Sequence, residues 1–193
     1  IENITSLKKA EARFQHLFNY APISLWEEDY HDIWELFETL HAEGITDLQS
    51  HLAGRPELVD QFMSTIRVLD INLKTLELFG ASSKEALLSN LGKVFRDEMR
   101  QHFASELVDM WNGKTSYERE GINYSLSGEP INVHLDWRLM PGYEKDFSWV
   151  LVAIQDITAR KKSEEYLRYL GTHDVMTGLY NRAFFEEQAL KLA

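Results

Sequence analysis

The sequence of 193 residues predicts an α+β fold: helices in the first half, then an antiparallel sheet of about five strands. Three observations predict it. Apolar residues recur at helical spacing through most of residues 3–111. After Gly113 the period becomes two, and Ile131, Val133, Leu135, Trp137 and Leu139 alternate with polar neighbours, as in a strand with one buried face. Two short β-prone runs, 23–28 and 66–71, interrupt the early helices. Helices are expected on one side of the sheet, with further helices flanking it at both ends.

Residues 3–20 predict a helix, with Ile4, Leu7, Phe14, Leu17 and Phe18 near one face. Ala21 and Pro22 end it, because the residue before proline is pushed out of helical geometry. The strand at 23–28 is followed by an amphipathic helix over 30–43, marked by Ile33, Trp34, Phe37 and Leu40 and stopped by Gly44. Helices over 48–52 and 56–66 follow, the latter with Pro56 in its first turn. After the strand at 66–71, a short helix over 73–79 closes on Gly80. Ser82, three residues ahead of Glu85, has capping-box spacing and predicts a helix through Leu88. A longer helix is expected over 96–111, stopped at Asn112 and Gly113. Strands are expected over 115–126, 131–140 and 147–157, with turns at Ser127–Gly128 and Pro141–Gly142. From Thr158 the helical period returns. Arg160 with Glu164, and Lys161 with Glu165, are opposite charges four apart, and Ile157, Leu167 and Leu170 could form a short partner seam.

Composition narrows the function. The net charge of −11, from 31 acidic and 20 basic residues, argues against a general nucleic-acid surface. No cysteine is present, which excludes disulfides, thiolate metal sites and cysteine nucleophiles. The longest wholly apolar run, 149–154, is far too short for a bilayer, so no membrane contact and a cytoplasmic location are expected of this segment. Ile1 is not a natural start, and upstream segments are expected.

Three stretches belong together: Phe14 to Asp29, with Leu17, Phe18 and Ala21-Pro22-Ile23; Val68-Leu69-Asp70-Ile71-Asn72 with the following Leu76 to Gly80; and Gln155-Asp156-Ile157-Thr158-Ala159-Arg160-Lys161-Lys162-Ser163-Glu164-Glu165. Over about residues 14–158 they resemble PAS domains, and the last is similar to the D-I-T-x-R-K-x-x-E ending of that family. The resemblance implies the PAS fold, a sensory or dimerisation role, and a junction at Asp156, Ile157 and Thr158 that relays signals to an output helix. The segment 30–66 is longer than a minimal PAS domain needs between its first two strands, and could cover or alter a ligand site. Lacking cysteine, the chain cannot run the photocycle of cysteine-dependent light sensors such as flavin-binding LOV domains.

A second resemblance lies at the end. Asp174, Thr177, Gly178, Leu179, Asn181, Arg182 and Phe185 match seven of the eight defined positions of D-x-L-T-G-L-x-N-R-x-x-F, and only Met176 departs. This pattern resembles the opening motif of GGDEF domains, which make cyclic di-GMP from GTP. It implies a C-terminal diguanylate cyclase whose catalytic strands lie beyond Ala193, and a structural rather than catalytic role for these residues. The expected organisation is an N-terminal linker helix (1–20), a PAS domain (21–158), a connector helix (159–171) and the start of a truncated GGDEF domain (172–193).

Among candidate ligand residues, Trp26, Trp137 and Trp149 fall in strand candidates, where they fill the core or line a pocket. Asp156 is expected to cap the following helix. His102 falls where haem-binding PAS domains place an axial ligand, but its neighbours Arg100 and Gln101 suggest a solvated face, and no haem, metal or other cofactor is predicted. Glu27-Glu28-Asp29 and Glu118-Arg119-Glu120 read as solvated strand ends, leaving no catalytic candidate. A homodimer and an unidentified small molecule are the expected partners. The alternatives are a ligand-free dimerisation scaffold and the input domain of a histidine kinase; the latter fits poorly, because His173 and Asp174 do not continue as H-E-x-x-x-P.

Overall fold

The structure is a computed structural model that describes residues 2–96 and 99–191; residues 97 and 98, expected in a helix, lie outside the described set, as do residues 1, 192 and 193. The chain divides after Asp156 into two units. In order, the larger contains α1 (Glu2–Asn19), β1 (Ser24–Asp29), α2 (His31–Ala42), α3 (Leu48–Leu52), α4 (Pro56–Thr65), β2 (Arg67–Ile71), α5 (Leu73–Phe79), α6 (Lys84–Leu88), α7 (Leu91–Val94), α8 (Met99–Trp111), β3 (Ser116–Tyr124), β4 (Pro130–Leu139) and β5 (Val150–Asp156). The smaller contains α9 (Thr158–Thr172) and α10 (Arg182–Lys191).

The five strands form one antiparallel sheet in the order β2-β1-β5-β4-β3. The first and last strands in sequence are thus neighbours at its centre, paired from Ser24↔Ile154 to Glu28↔Val150. Alternation sets the buried face: Trp26 on β1, Ile131, Val133, Leu135, Trp137 and Leu139 on β4, and Val150, Val152 and Ile154 on β5. The helical segment between β1 and β2 extends this core. Phe37 of α2 meets Phe62 of α4, Trp111 of α8 and Phe147 at ring-centroid distances of 5.6, 5.2 and 6.4 Å.

A buried amide ties the start of the sheet together. Asn72, fully buried, accepts hydrogen bonds at Oδ1 from the Leu25 and Thr75 backbone N–H groups, both at 3.0 Å, and from the Thr75 hydroxyl at 2.9 Å. Its Nδ2 donates to the Phe18 and Ile23 carbonyls at 3.0 and 2.8 Å. The network reaches into β1, where the Ser24 hydroxyl lies 2.8 Å from that of Thr75 and accepts the Trp26 indole N–H at 3.1 Å.

The structure departs from the sequence expectations at several points. The cap of α6 is Ser83, whose hydroxyl accepts the Ala86 N–H at 3.1 Å, rather than Ser82. The last strand starts at Val150 rather than 147, because Phe147 has a left-handed φ of 53° that breaks an extended run. The short helix α7 was not anticipated. On α1, among the residues whose side chains are described, only Phe18 is buried, while Leu7, Phe14 and Leu17 are exposed and Ile4 lies outside the described side chains, so helical periodicity correctly predicts the helix but not the burial of its stripe.

In the smaller unit, α9 carries the Arg160–Glu164 pair at 3.3 Å. The connection to α10 is held by local hydrogen bonds. Asp174 Oδ1 accepts the Thr177 N–H and hydroxyl at 2.9 and 2.8 Å, and Gly178, with a φ of 70°, makes the turn. Asn181 Oδ1 then accepts the Phe184 N–H at 2.9 Å, capping α10, while its Nδ2 donates to the Gly171 carbonyl at 3.0 Å.

Replacing Asn72 with alanine strands the Leu25 N–H and the Ile23 carbonyl in a buried site and removes one of two bonds at the Phe18 carbonyl and at the Thr75 N–H. A loss of about 3 kcal/mol or more is expected in urea unfolding, at roughly 1–3 kcal/mol per unsatisfied buried group. A loss below about 1 kcal/mol would refute this linking role.

Candidate functional site

Between the sheet and the helices of the larger unit lies a cavity of about 190 Å³. Its sheet wall comprises Trp26 and Glu28 of β1, Val68 of β2, Tyr117 of β3, Leu135 and Trp137 of β4, and Val152 and Ile154 of β5. Facing them are Tyr30, Met63, Ile66, Leu91, Phe95, Phe103 and Glu106. The long helical segment therefore supplies part of the wall through Met63 and Ile66.

The inward position of a glutamate follows from strand parity. Ser24, Trp26 and Glu28 alternate onto one face of β1, so Glu28 enters the cavity beside Trp26. A bulge in β2 assists. Trp26 pairs with Ile71 and Glu27 with Asp70, but Glu28 pairs with Val68, leaving Leu69 as the extra residue. Val68 thereby lines the cavity, while Leu69 is largely exposed. On β3 the same parity turns Tyr117, Arg119 and Asn123 inward and leaves Glu118 and Glu120 exposed. The two charged runs expected to be solvated strand ends each send one residue into the interior. The missed signal was the apolar or small residue two positions away.

These residues form two linked polar clusters. The Tyr30 hydroxyl donates to Glu28 Oε2 at 3.0 Å. Burial raises the Glu28 carboxyl from the usual 4.5 to about 7; the Tyr30 bond pulls the other way and the negative charge of Glu106 adds to the rise. On α8, buried Glu106 pairs with Arg119 Nε. Burial raises its pKa, Arg119 opposes that shift, and the neighbouring Tyr117 hydroxyl stabilises its charge. Burial and these carboxylates hold the Tyr30 and Tyr117 hydroxyls well above the usual tyrosine range. Arg119 also meets His102 Nδ1 at 2.6 Å through Nη1 and Met99 Sδ at 3.1 Å through Nη2. His102 is therefore half-buried against β3, contrary to its expected solvated position.

Of the three tryptophans expected to line a pocket, Trp26 and Trp137 do, each only 1% exposed. Trp149 does not. It precedes β5 with parity opposite to Val152 and Ile154, and packs on Tyr143 at 5.2 Å. Tyr117 stacks on Trp137 at 5.0 Å, and Tyr30 lies 5.9 Å from it, giving the cavity an aromatic wall. Among the described residues no group of His, Cys, Asp and Glu is arranged to hold a metal ion.

The expected relay residues follow one another along the chain. Asp156 ends β5 opposite Val133, Ile157 occupies the N-cap position of α9, and Thr158 is its first residue. The expectation that Asp156 caps the helix is corrected: the cap position lies one residue later and carries no side-chain cap bond, because β5 extends through Asp156. Asp174, Thr177, Gly178, Leu179 and Asn181 meet in the connection before α10, where the Asp174 N–H donates to the Leu179 carbonyl at 2.7 Å; Arg182 starts α10 and pairs with Glu186 at 2.7 Å. Asp174, held by Thr177, has a lowered pKa.

Glu28 makes stability depend on pH. A carboxyl raised from 4.5 to about 7 is protonated in the folded protein where the unfolded chain is ionised. Its protonation therefore stabilises the fold at low pH, and that stability declines as pH rises from about 4.5 through about 7, by about 3 kcal/mol in all. Glu28→Gln should flatten this decline and leave the variant the more stable at about pH 8. Urea midpoints measured across that range check the sign, and an unchanged slope in the variant would refute it.

No protein-family model matches the chain, and no curated protein does. Its architecture is similar to that of solved structures. The Rhodobacter sphaeroides LOV protein superposes with a TM-score of 0.52 and 16% identity, over 83% of this chain and 73% of that one. The PAS domain of a Colwellia psychrerythraea protein superposes with a TM-score of 0.50 and 16% identity, over 80% and 99%. With the strand order described above, these likenesses establish the PAS fold for this chain.

Proposed function

We propose that this chain is a sensory or regulatory module of a signal-transduction protein, and that it controls a diguanylate cyclase domain lying C-terminal to it. The observation that carries the reading is the position of β5. Val152 and Ile154 line the cavity, and the same strand continues through Asp156 into Ile157, Thr158 and α9. A guest that displaces these side chains thus acts on the segment leading directly to the output helix. Shifting the balance between two arrangements of that helix requires only that the guest favour one of them. The residues 174–182 support the cyclase assignment by their resemblance to the opening of a GGDEF domain, and their turn-forming bonds suit a structural role. The module itself is read as non-catalytic.

The exposed side chains of Leu7, Phe14 and Leu17 on α1 support a homodimer. They equally favour the alternative of a dimerisation scaffold, and native mass spectrometry separates the two. A dimer that releases a small molecule on denaturation supports the sensor; an apo dimer supports the scaffold. Phe14→Glu with Leu17→Glu should convert the dimer to monomer, and an unaltered dimer would remove α1 from the interface.

In the full-length protein, Asp156→Ala should change cyclic di-GMP output, measured chromatographically, by more than its effect on folding explains. Unaltered output and regulation would remove the relay role, and a full-length protein without cyclase activity would remove the assignment of output.

A further inference from the structure

The cavity is lined by two carboxylates, Glu28 and Glu106, and the Arg119 guanidinium is paired with Glu106. Arg119 uses Nε on Glu106, Nη1 on His102 and Nη2 on Met99. It is paired with Glu106, so its charge is already balanced. Among the described residues no cation pairs with Glu28, and its hydrogen-bond partner is the neutral Tyr30 hydroxyl. The wall around it is rich in aromatic faces: Trp26, Tyr30, Phe95, Phe103, Tyr117 and Trp137. Such faces attract cations, the more so when water is displaced. The buried indole N–H of Trp137 is directed at the Tyr30 hydroxyl, outside ideal hydrogen-bonding geometry.

We infer that the cavity takes a compact organic ammonium: a protonated amine on a small apolar body, with its N–H groups on Glu28 and its body among the aromatic rings. This rests on the sensor reading above and narrows it to a ligand class. The size agrees, since a dry cavity of about 150 Å³ accommodates benzene and this one measures about 190 Å³. An anion would meet two carboxylates and an arginine whose charge Glu106 already balances. A purely apolar guest would leave Glu28 buried without a counter-charge, at a cost the protein avoids by protonating it.

Charge matching also predicts a pH dependence. The titratable and charged groups around Glu28 are Tyr30 at the end of its own strand, Glu106 on α8, and Tyr117 and Arg119 on β3; β2 and β5 present Val68 and Val150 opposite it, and β4 presents Trp137. Burial holds Glu28 protonated until about pH 7, so a cation binds best above that point. The affinity should rise about tenfold from about pH 6 to about pH 8 as the carboxylate forms.

The test is calorimetric titration of the whole chain with benzylamine, its neutral isostere benzyl alcohol, and benzoate. At about pH 8, benzylammonium should bind at least tenfold more tightly than benzyl alcohol, and benzoate should not bind. In Glu28→Gln the preference for the amine should vanish while benzyl alcohol still binds. The pH profile of the unmutated chain reads the same charge should the variant fail to fold. Benzyl alcohol or benzoate binding as tightly as the amine, or a flat profile, would overturn the ammonium assignment and leave the cavity as a ligand site. Failure of all three to bind or to perturb tryptophan fluorescence would overturn both the assignment and the sensor reading.

Discussion

The side-chain amide of Asn72 joins pieces of chain that are far apart in sequence: the end of α1, the approach to β1, β1 itself and the first turn of α5. An amide suits this position because it offers acceptor and donor together, and each is used on backbone groups buried with it. A hydrophobic residue of similar size would pack but would strand those groups, and an aspartate would keep the acceptors and lose both donors. By fixing where β1 starts, Asn72 also fixes which of its residues face inward. The placement of Trp26 and Glu28 in the cavity follows from that register.

The cavity then shows a tension between burial and charge. Two carboxylates are removed from water and one arginine lies among them. Glu106 is charge-balanced by Arg119, whose remaining nitrogens are tied to His102 and Met99. Glu28 has only a tyrosine hydroxyl, and adapts by holding its proton to about pH 7. A buried acid without a counter-charge is costly in a purely structural core, where an apolar residue would pack as well. Its presence beside an aromatic-walled space is the feature of this PAS fold that most calls for a functional explanation. The long segment between β1 and β2 does not erase the site. It packs α2, α3 and α4 against the core and contributes Met63 and Ile66 to the cavity wall.

Much of this architecture was legible in the sequence. The strand at residues 130–139 follows from strict alternation, and the helices at 48–52, 56–65 and 73–79 follow from apolar spacing bounded by proline or glycine. These are local signals, set by backbone geometry within a few residues. Errors arose where local rules compete. Ser82 and Ser83 both offer a cap, and the helix starts after the second; Phe147 looks β-prone but sits in a left-handed turn.

The site was less legible. Size and a place in a strand mark Trp26, Trp137 and Trp149 alike as pocket candidates, yet Trp149 faces elsewhere by parity. Glu28 and Arg119 were hidden within charged runs. The sequence by itself determined the α+β class and the order of the elements other than α7, because these depend on short-range periodicity and turn chemistry. Only the tertiary structure decided which charges are buried, that Arg119 is spent on Glu106, and that space remains beside Glu28. Those properties arise when residues scores of positions apart share one low-dielectric interior, and no local pattern encodes that meeting.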